Sequence, residues 1–342
     1  MEYCPQHKRF CRHLPTNGMF LINDSDVKSV NLISGFLGAG KTTMVRTILE
    51  NNPFKNIHVI VREYGEIAID DKLLNTEEER IHIFTGASMH VDPQTMLYNY
   101  MESMYDRSLR HPFDHLLIET SGAESAENML KMFFLPGFRD HYSLSSFVTV
   151  VDAEYGALNL EQFRTAREQI AFADVIVINK MDRAAASATD ELTSRIRTIN
   201  PYAKIVYTTF GAVDLQEIQE CGIFDQLGSM NPQVLKTQGS NIAMDEFCSV
   251  SLCVDEPLDL EAVNRWITDT FEKYGLSILR GKGFFNIAGS DYRHEFQSVR
   301  KTFHSKTDTL WDNDKRKSVI VFIGTKLPPR SELQAALERC RA

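Results

Sequence analysis

The sequence predicts an α/β protein in two parts: a parallel sheet with helices on both faces over residues 29–228, then a smaller α+β domain over residues 246–342. Three observations predict it. From Ser29 to Gly228 short apolar runs alternate with longer amphipathic ones, the rhythm of strands joined by helical crossovers. Most of the strand-like runs are continuous and β-branched, as expected when both faces of a sheet are covered. Residues 229–245 lose the pattern in a polar stretch containing Gly, Pro, Asn and Ser, which reads as a linker.

In chain order, residues 1–28 form a tail in which Cys4, His7, Cys11 and His13 fall within ten residues. Such a cluster fits either a soft-ligand metal site or a mobile leader. Strands are expected at SVNLIS, IHVIV, IHIF, HLLIE, SFVTVV, DVIVIN and KIVYT. Helices are expected to begin at Lys41, after Asp92 with Pro93 in the first helical position, near Glu124, at Leu160 and at Asp190. Beyond the linker the pattern is strand, helix, two or three strands, helix. It runs from EFCSVSLCV through LDLEAVNRWITDTFEKYG, SILRGKGFFNIAG, a run near Phe296 to Phe303 and SVIVFIG to a closing helix from Arg330. Helices packed on one face of an antiparallel sheet satisfy that order.

Composition narrows the function. The chain carries 37 basic and 46 acidic residues, a net charge of -9, with the cations scattered instead of gathered into a stripe. Phosphate neutralisation drives nucleic-acid binding, so a nucleic-acid partner is not expected. No eighteen apolar residues run together and the N-terminal stretch lacks a signal-like apolar core, which predicts a cytoplasmic protein without a membrane span. Six cysteines in 342 residues do not make a disulfide scaffold.

The strongest motif is Gly35-Phe36-Leu37-Gly38-Ala39-Gly40-Lys41-Thr42-Thr43, set between a predicted strand and a predicted helix. Its glycines let backbone amides converge on phosphates, the helix N-terminus adds partial positive charge, and Lys41 reaches the β and γ phosphates. Thr42 is expected to bind Mg²⁺ through its hydroxyl. The same residue types exclude a dinucleotide fold, because Lys41 and Thr42 stand where that fold continues toward its third glycine. A second motif, Asp114-His-Leu-Leu-Ile-Glu119-Thr-Ser-Gly122, is an apolar strand ending in an acid and a glycine. A parallel strand's carboxyl end faces the ligand crevice, so Glu119 points at the Mg²⁺ and γ-phosphate region and the Gly122 amide can sense the γ-phosphate. The third motif is Asn179-Lys180-Met181-Asp182 at the end of DVIVIN. A carboxylate at Asp182 accepts from guanine N1 and N2 together, a donor pair adenine lacks, while Asn179 and the Lys180 stem brace the base. The following TTFGA, residues 208–212, is suited to closing over the base. GTP and GDP with Mg²⁺ are the expected ligands.

At these residues the chain resembles the CobW, HypB and UreG family of P-loop GTPases, and within it the CobW-like branch. GFLGAGKTT looks like that branch's phosphate loop, Glu119 matches its use of Glu where most P-loop proteins use Asp, and EYGEIAIDDKLL from Glu63 looks like its first switch segment. LRGKG at 279–283, Trp311 and SVIVFIG look like the CobW C-terminal domain. The resemblance implies GTP-driven delivery of a metal or assembly of a metallocentre, with a client metalloenzyme or cofactor-bearing protein as partner and a homodimer compatible with it. Two departures stand out. The family's CxCC motif, a zinc-class site, is replaced by Gly86-Ala87-Ser88-Met89-His90, and Arg62 stands where the family has Asn. Thiolates supply most of the affinity of a tetrahedral zinc site, so Met89 and His90 can serve only a softer or transient ion, and they serve equally as packing and surface groups. Glu63, Glu66 and Asp70 are candidate oxygen ligands for a cargo ion, with Cys4 and Cys11 as further candidates.

Overall fold

The computed structural model describes residues 2–4, 9–11, 27–53, 55–63, 81–85, 93–108, 112–135, 138–219, 247–311 and 316–342. Contacts divide the chain into two units, one of Ile22–Arg197 with Ala203–Cys221 and one of Met1–Leu21, Thr198–Tyr202 and Gly222–Ala342.

The first unit holds a seven-stranded parallel sheet. Its strands are β3 (Lys28–Gly35), β4 (Ile57–Glu63), β5 (Ile81–Thr85), β6 (His115–Glu119), β7 (Tyr142–Asp152), β8 (Val175–Asn179) and β9 (Lys204–Tyr207), in the spatial order β5-β4-β6-β3-β7-β8-β9. All seven predicted strand runs form. The order reverses at β3, which pairs with β6 on one side and β7 on the other, so the crevice at the carboxyl ends opens beside β3. Helices α1 (Lys41–Asn51), α2 (Pro93–Ser108), α3 (Ala126–Met132), α4 (Phe138–His141), α5 (Gly156–Gln162), α6 (Arg164–Phe172), α7 (Ala186–Ile199) and α8 (Leu215–Gln219) connect the strands. One face of the sheet packs Ile33, Val59, Leu117, Val148 and Val177 against Met44, Val45 and Ile48 of α1 and Leu215 and Ile218 of α8. Each such side chain, removed from water, contributes about 1.5–3 kcal/mol.

Two expectations are corrected here. The helix expected from Leu160 is two helices broken at Phe163, which is extended (φ -118°, ψ 117°) and caps both. The Phe163 ring packs at 4.6 Å, centroid to centroid, on Phe36 of the glycine loop, so the break coincides with a contact distant in sequence. The helix expected from Asp190 starts a turn earlier, at Ala186.

The second unit holds, among the described residues, an antiparallel sheet with two helices. Its strands are β10 (Cys248–Val254), β11 (Ile278–Phe285), β12 (Tyr292–Val299), β13 (Thr302–Leu310) and β14 (Ser318–Gly324). The run near Phe296–Phe303 is a hairpin, β12 and β13, turning at Arg300 with φ +51°. Trp266, Ile267 and Phe271 of the helix Leu260–Tyr274, with Leu333 and Leu337 of the helix Arg330–Glu338, pack on Val250, Phe296, Ile320 and Phe322. The tail contributes what the sequence does not display: β1 (Glu2–Cys4) and β2 (Arg9–Cys11) pair antiparallel, and Arg9 of β2 pairs with Lys306 of β13, giving the order β1-β2-β13-β12-β11-β14-β10. Cys4 stands opposite Arg9, and Cys11 opposite Glu2.

Candidate functional site

The glycine loop leaves the buried end of β3 and enters α1. Gly40 is the helix N-cap at φ +99°, a conformation L side chains avoid, and a Cβ there would lie 2.4 Å from the Asn179 amide nitrogen. Lys41 is buried, and its Nζ donates to the carbonyls of Gly35 (3.0 Å) and Phe36 (3.5 Å), which holds the ammonium over the loop. Thr43 follows in the first turn of α1, where its carbonyl accepts from Thr47 Oγ1 at 3.0 Å.

Glu119 ends β6 beside this loop, in register with Ile33, and is buried. The Thr42 hydroxyl donates to Glu119 Oε1 at 2.7 Å. Two hard oxygens therefore converge at the start of α1, a donor set that suits Mg²⁺ and no soft metal. Gly122 presses on the same loop: a Cβ at this position would lie 2.7 Å from the backbone nitrogen of Leu37. The close approach requires glycine and brings the 119–125 loop against the phosphate side.

The base side is built from β7, β8 and the loop after β9. Asp152 and Asn179 are neighbours in register at the ends of β7 and β8. The Asn179 carboxamide spans two loops, donating from Nδ2 to the Ala39 carbonyl (3.0 Å) and accepting at Oδ1 from the Gly211 amide (3.0 Å). Lys180 has φ +62°, and its Nζ donates to the Gly38 carbonyl (2.6 Å) and to Asp152 Oδ2 (2.6 Å). Asp152 Oδ1 in turn accepts from the amides of Glu154 and Tyr155 at 2.8 and 3.2 Å. Asp182 lies on the 3₁₀ turn Met181–Arg183 with its side chain 41% exposed, at the outer end of this arrangement. Loop 208–212 is tied down by Thr208, whose hydroxyl donates to Ala212 O at 2.8 Å, and by Thr47 of α1, whose hydroxyl donates to Phe210 O at 3.2 Å.

The structure thus brings Gly35, Gly38, Ala39, Gly40, Lys41, Thr42, Glu119, Gly122, Asn179 and Lys180 into one network. The proposed cargo ligands Glu66, Asp70, Met89 and His90, with His7 and His13, lie outside the described residues. Glu63 closes β4, in register with Thr85.

Two residues missed by sequence reasoning join the network. Gln169 of α6 is 1% exposed; its Nε2 donates to the Gly122 carbonyl at 3.2 Å, and its Oε1 is buried without a hydrogen-bond partner among the described residues. Next to it, Glu168 accepts from Ser125 at 2.8 Å, so α6 grips the 119–125 loop twice. On the loop's other flank Glu124 is buried and paired with Arg62 of β4 at 2.6 Å. Burial pushes the Glu124 carboxyl above its ordinary range, against the opposing pull of Arg62. No short-range pattern marks Gln169 or Glu124; their partners are separated from them by tens of residues.

Comparison with known proteins agrees with this geometry. Residues 29–207 match the family described as CobW/HypB/UreG, nucleotide-binding domain, and residues 247–341 match the cobalamin synthesis protein CobW C-terminal domain. The chain is 30% identical over 321 residues to the zinc chaperone YjiA of Escherichia coli, covering 92% of this chain and 98% of that one. It is 30% identical over 332 residues to the zinc chaperone CobW of Pseudomonas aeruginosa, covering 87% and 88%. The crystal structure of the Zn(II)-bound YjiA GTPase from E. coli aligns with a TM-score of 0.68 at 27% identity, covering 92% of this chain and 99% of that one. With both of its halves matched, and a glycine loop, an acid-ended strand and a buried asparagine joined as described, the chain belongs to the CobW/HypB/UreG family, in its CobW-like branch.

Proposed function

We propose that this protein is a Mg²⁺-dependent GTP hydrolase that acts as a metallochaperone or metallocentre assembly factor, its nucleotide state controlling delivery to a client protein. One observation carries the reading: the Thr42 hydroxyl and the Glu119 carboxylate meet at 2.7 Å beside a loop that also holds Lys41. The loop amides and Lys41 receive the β and γ phosphates of GTP, and Asp182 accepts from the guanine N1 and N2 donors. Thr42 and Glu119 would hold Mg²⁺, which supplies charge neutralisation at the phosphate oxygens when bound. Glu119 also orients a water toward the γ-phosphorus, where a new P–O bond forms as the bond to the β–γ bridging oxygen breaks and GDP leaves. Gly122 detects the γ-phosphate, and loss of that phosphate releases the 119–125 loop. Turnover is slow alone and accelerated by the partner, as in P-loop GTPases that await a completing group.

The relatives named zinc chaperones support a metal ion as cargo. The replacement of the three cysteines by Ala87, Met89 and His90 favours a second reading, a GTP-gated chaperone for a cofactor-bearing enzyme that carries no metal itself. Elemental analysis of untagged protein separates them: a stoichiometric transition metal, lost in Met89→Ala/His90→Ala, supports carriage, and its absence supports the second reading. The hydrolase itself is tested with Lys41→Ala, which removes the cation from the phosphates and is expected to abolish phosphate release. Turnover equal to wild type in that variant would overturn the assignment.

A further inference from the structure

Arg62 departs from the family's Asn and touches the nucleotide network only through its ion pair with Glu124. Its side chain is 6% exposed, and its two polar contacts among the described residues use one atom: Nη1 lies 2.6 Å from Glu124 Oε1 and 2.6 Å from the Met129 sulfur. Among the described residues Nε and Nη2 make no hydrogen bond, yet neither is sealed from solvent-sized space. Arg62 borders a cavity of about 360 Å³ between α2 and α3, walled by Leu97, Met129, Met132 and Leu135, with Tyr98 and Lys131 also lining it. That volume lies within the range of small-ligand pockets, which join apolar walls to a few fixed polar groups.

We propose that this cavity binds a small organic acid, a carboxylate on an apolar stem. The Nε–Nη2 edge of a guanidinium presents two parallel N–H donors that match the two oxygens of a planar carboxylate, a geometry a lysine cannot offer. The opposite side of the same group is already occupied by Glu124, so the guanidinium is oriented before a ligand arrives. Leu97, Met132 and Leu135 give the stem an apolar lining, and the thioethers of Met129 and Met132 adapt to its shape. The buried Arg62 needs a second acceptor to satisfy its remaining donors, and the ligand carboxylate supplies one. Because Glu124 lies two residues beyond Gly122, occupancy is transmitted to the 119–125 loop; this second step rests on the GTPase reading, whereas binding does not.

The test is titration of nucleotide-free protein, labelled at its methionine methyl groups, with 4-phenylbutyrate, followed by NMR. Saturable shifts of the Met129 and Met132 methyls are expected. The neutral 4-phenylbutyramide and inorganic phosphate should bind at least about tenfold more weakly, since the amide cannot make the charged bidentate pair and phosphate has no apolar stem to fill the lining. Arg62→Lys should weaken phenylbutyrate by a similar factor. Leu135→Glu, at a position 46% exposed and so tolerant of change, places a like charge at the mouth and should weaken it while leaving Arg62 and Glu124 in place. Equal binding of acid and amide, preference for phosphate, or unaltered affinity in both variants would each overturn the proposal. Saturating phenylbutyrate should change wild-type GTP turnover and leave Arg62→Lys unaffected; binding without any change in turnover refutes the transmission. A wild type with no turnover sinks the GTPase reading, and the titration still decides the pocket.

Discussion

Asp182, on the turn after β8, and Gln169, buried against the Gly122 carbonyl, each support a measurable expectation. Asp182→Asn replaces an acceptor pair with one acceptor and one donor, so preference should move from GTP toward xanthosine triphosphate, whose C2 oxygen accepts where guanine donates. Competition binding of the two nucleotides checks this, and undiminished GTP selectivity would remove Asp182 from the base pocket. Gln169→Leu keeps the side-chain volume while deleting the bond to the Gly122 carbonyl and the buried Oε1. Phosphate release should slow about tenfold, the order expected for one hydrogen bond, with GDP affinity and thermal midpoint close to wild type. A parallel loss of GDP affinity would instead mark a residue that merely supports the fold. At this scale the gathering of most motif residues into one network was legible, because a phosphate-binding loop constrains residue types and spacing. The work of Asn179 was only half legible: its position at a strand end is visible in the sequence, but its two partners are main-chain atoms at Ala39 and Gly211, which no residue type announces.

Elements form where local chemistry and packing agree. The helix Leu260–Tyr274 is an example: Asp259 caps it by accepting from the Ala262 amide at 2.8 Å, and Val263, Trp266, Ile267 and Phe271 recur on its buried face. Asp259→Ala should cost the second unit about 1 kcal/mol, the usual worth of such a cap, read as a lower urea midpoint with unchanged slope. An unaltered midpoint would mean that an amide further along is satisfied by solvent. Strands of the parallel sheet were legible for a related reason, since burial on both faces leaves an uninterrupted apolar run such as VIVIN of β8. The break at Phe163 was not, because neither Gly nor Pro marks it and the stacking on Phe36 that accompanies it comes from far away in the chain. The hairpin β1–β2 was illegible for another reason: three-residue strands carry too little pattern to rise above a polar tail.

Across the whole chain, two units with different sheet types were legible from the change of rhythm near residue 228, while the assignment of Thr198–Tyr202 to the second unit was not, because contact and not composition decides it. Acid response is an expectation at this scale. Burial pushes His294 down to about 4, so the folded protein keeps this imidazole neutral while the unfolded chain protonates near 6.5. Above that pH the two states bind the same number of protons; as pH falls from 6.5 toward 4 only the unfolded state gains one, and stability is lost. By pH 5 the loss should reach about 2 kcal/mol, measured as the difference in unfolding free energy between pH 7 and pH 5. His294→Gln should shrink that difference, and an equal fall in both proteins would place the response elsewhere. In the first unit, Asn179 at the end of β8 stitches that strand end to both the glycine loop and the Gly211 loop. In the proposed site these bonds would form a rear wall held by the protein's own groups, so the entropy of ordering it would not be charged to nucleotide binding. In the proposed mechanism, motion after hydrolysis falls to the front, where the 119–125 segment hangs from Arg62 and Gln169 like a door on two hinges.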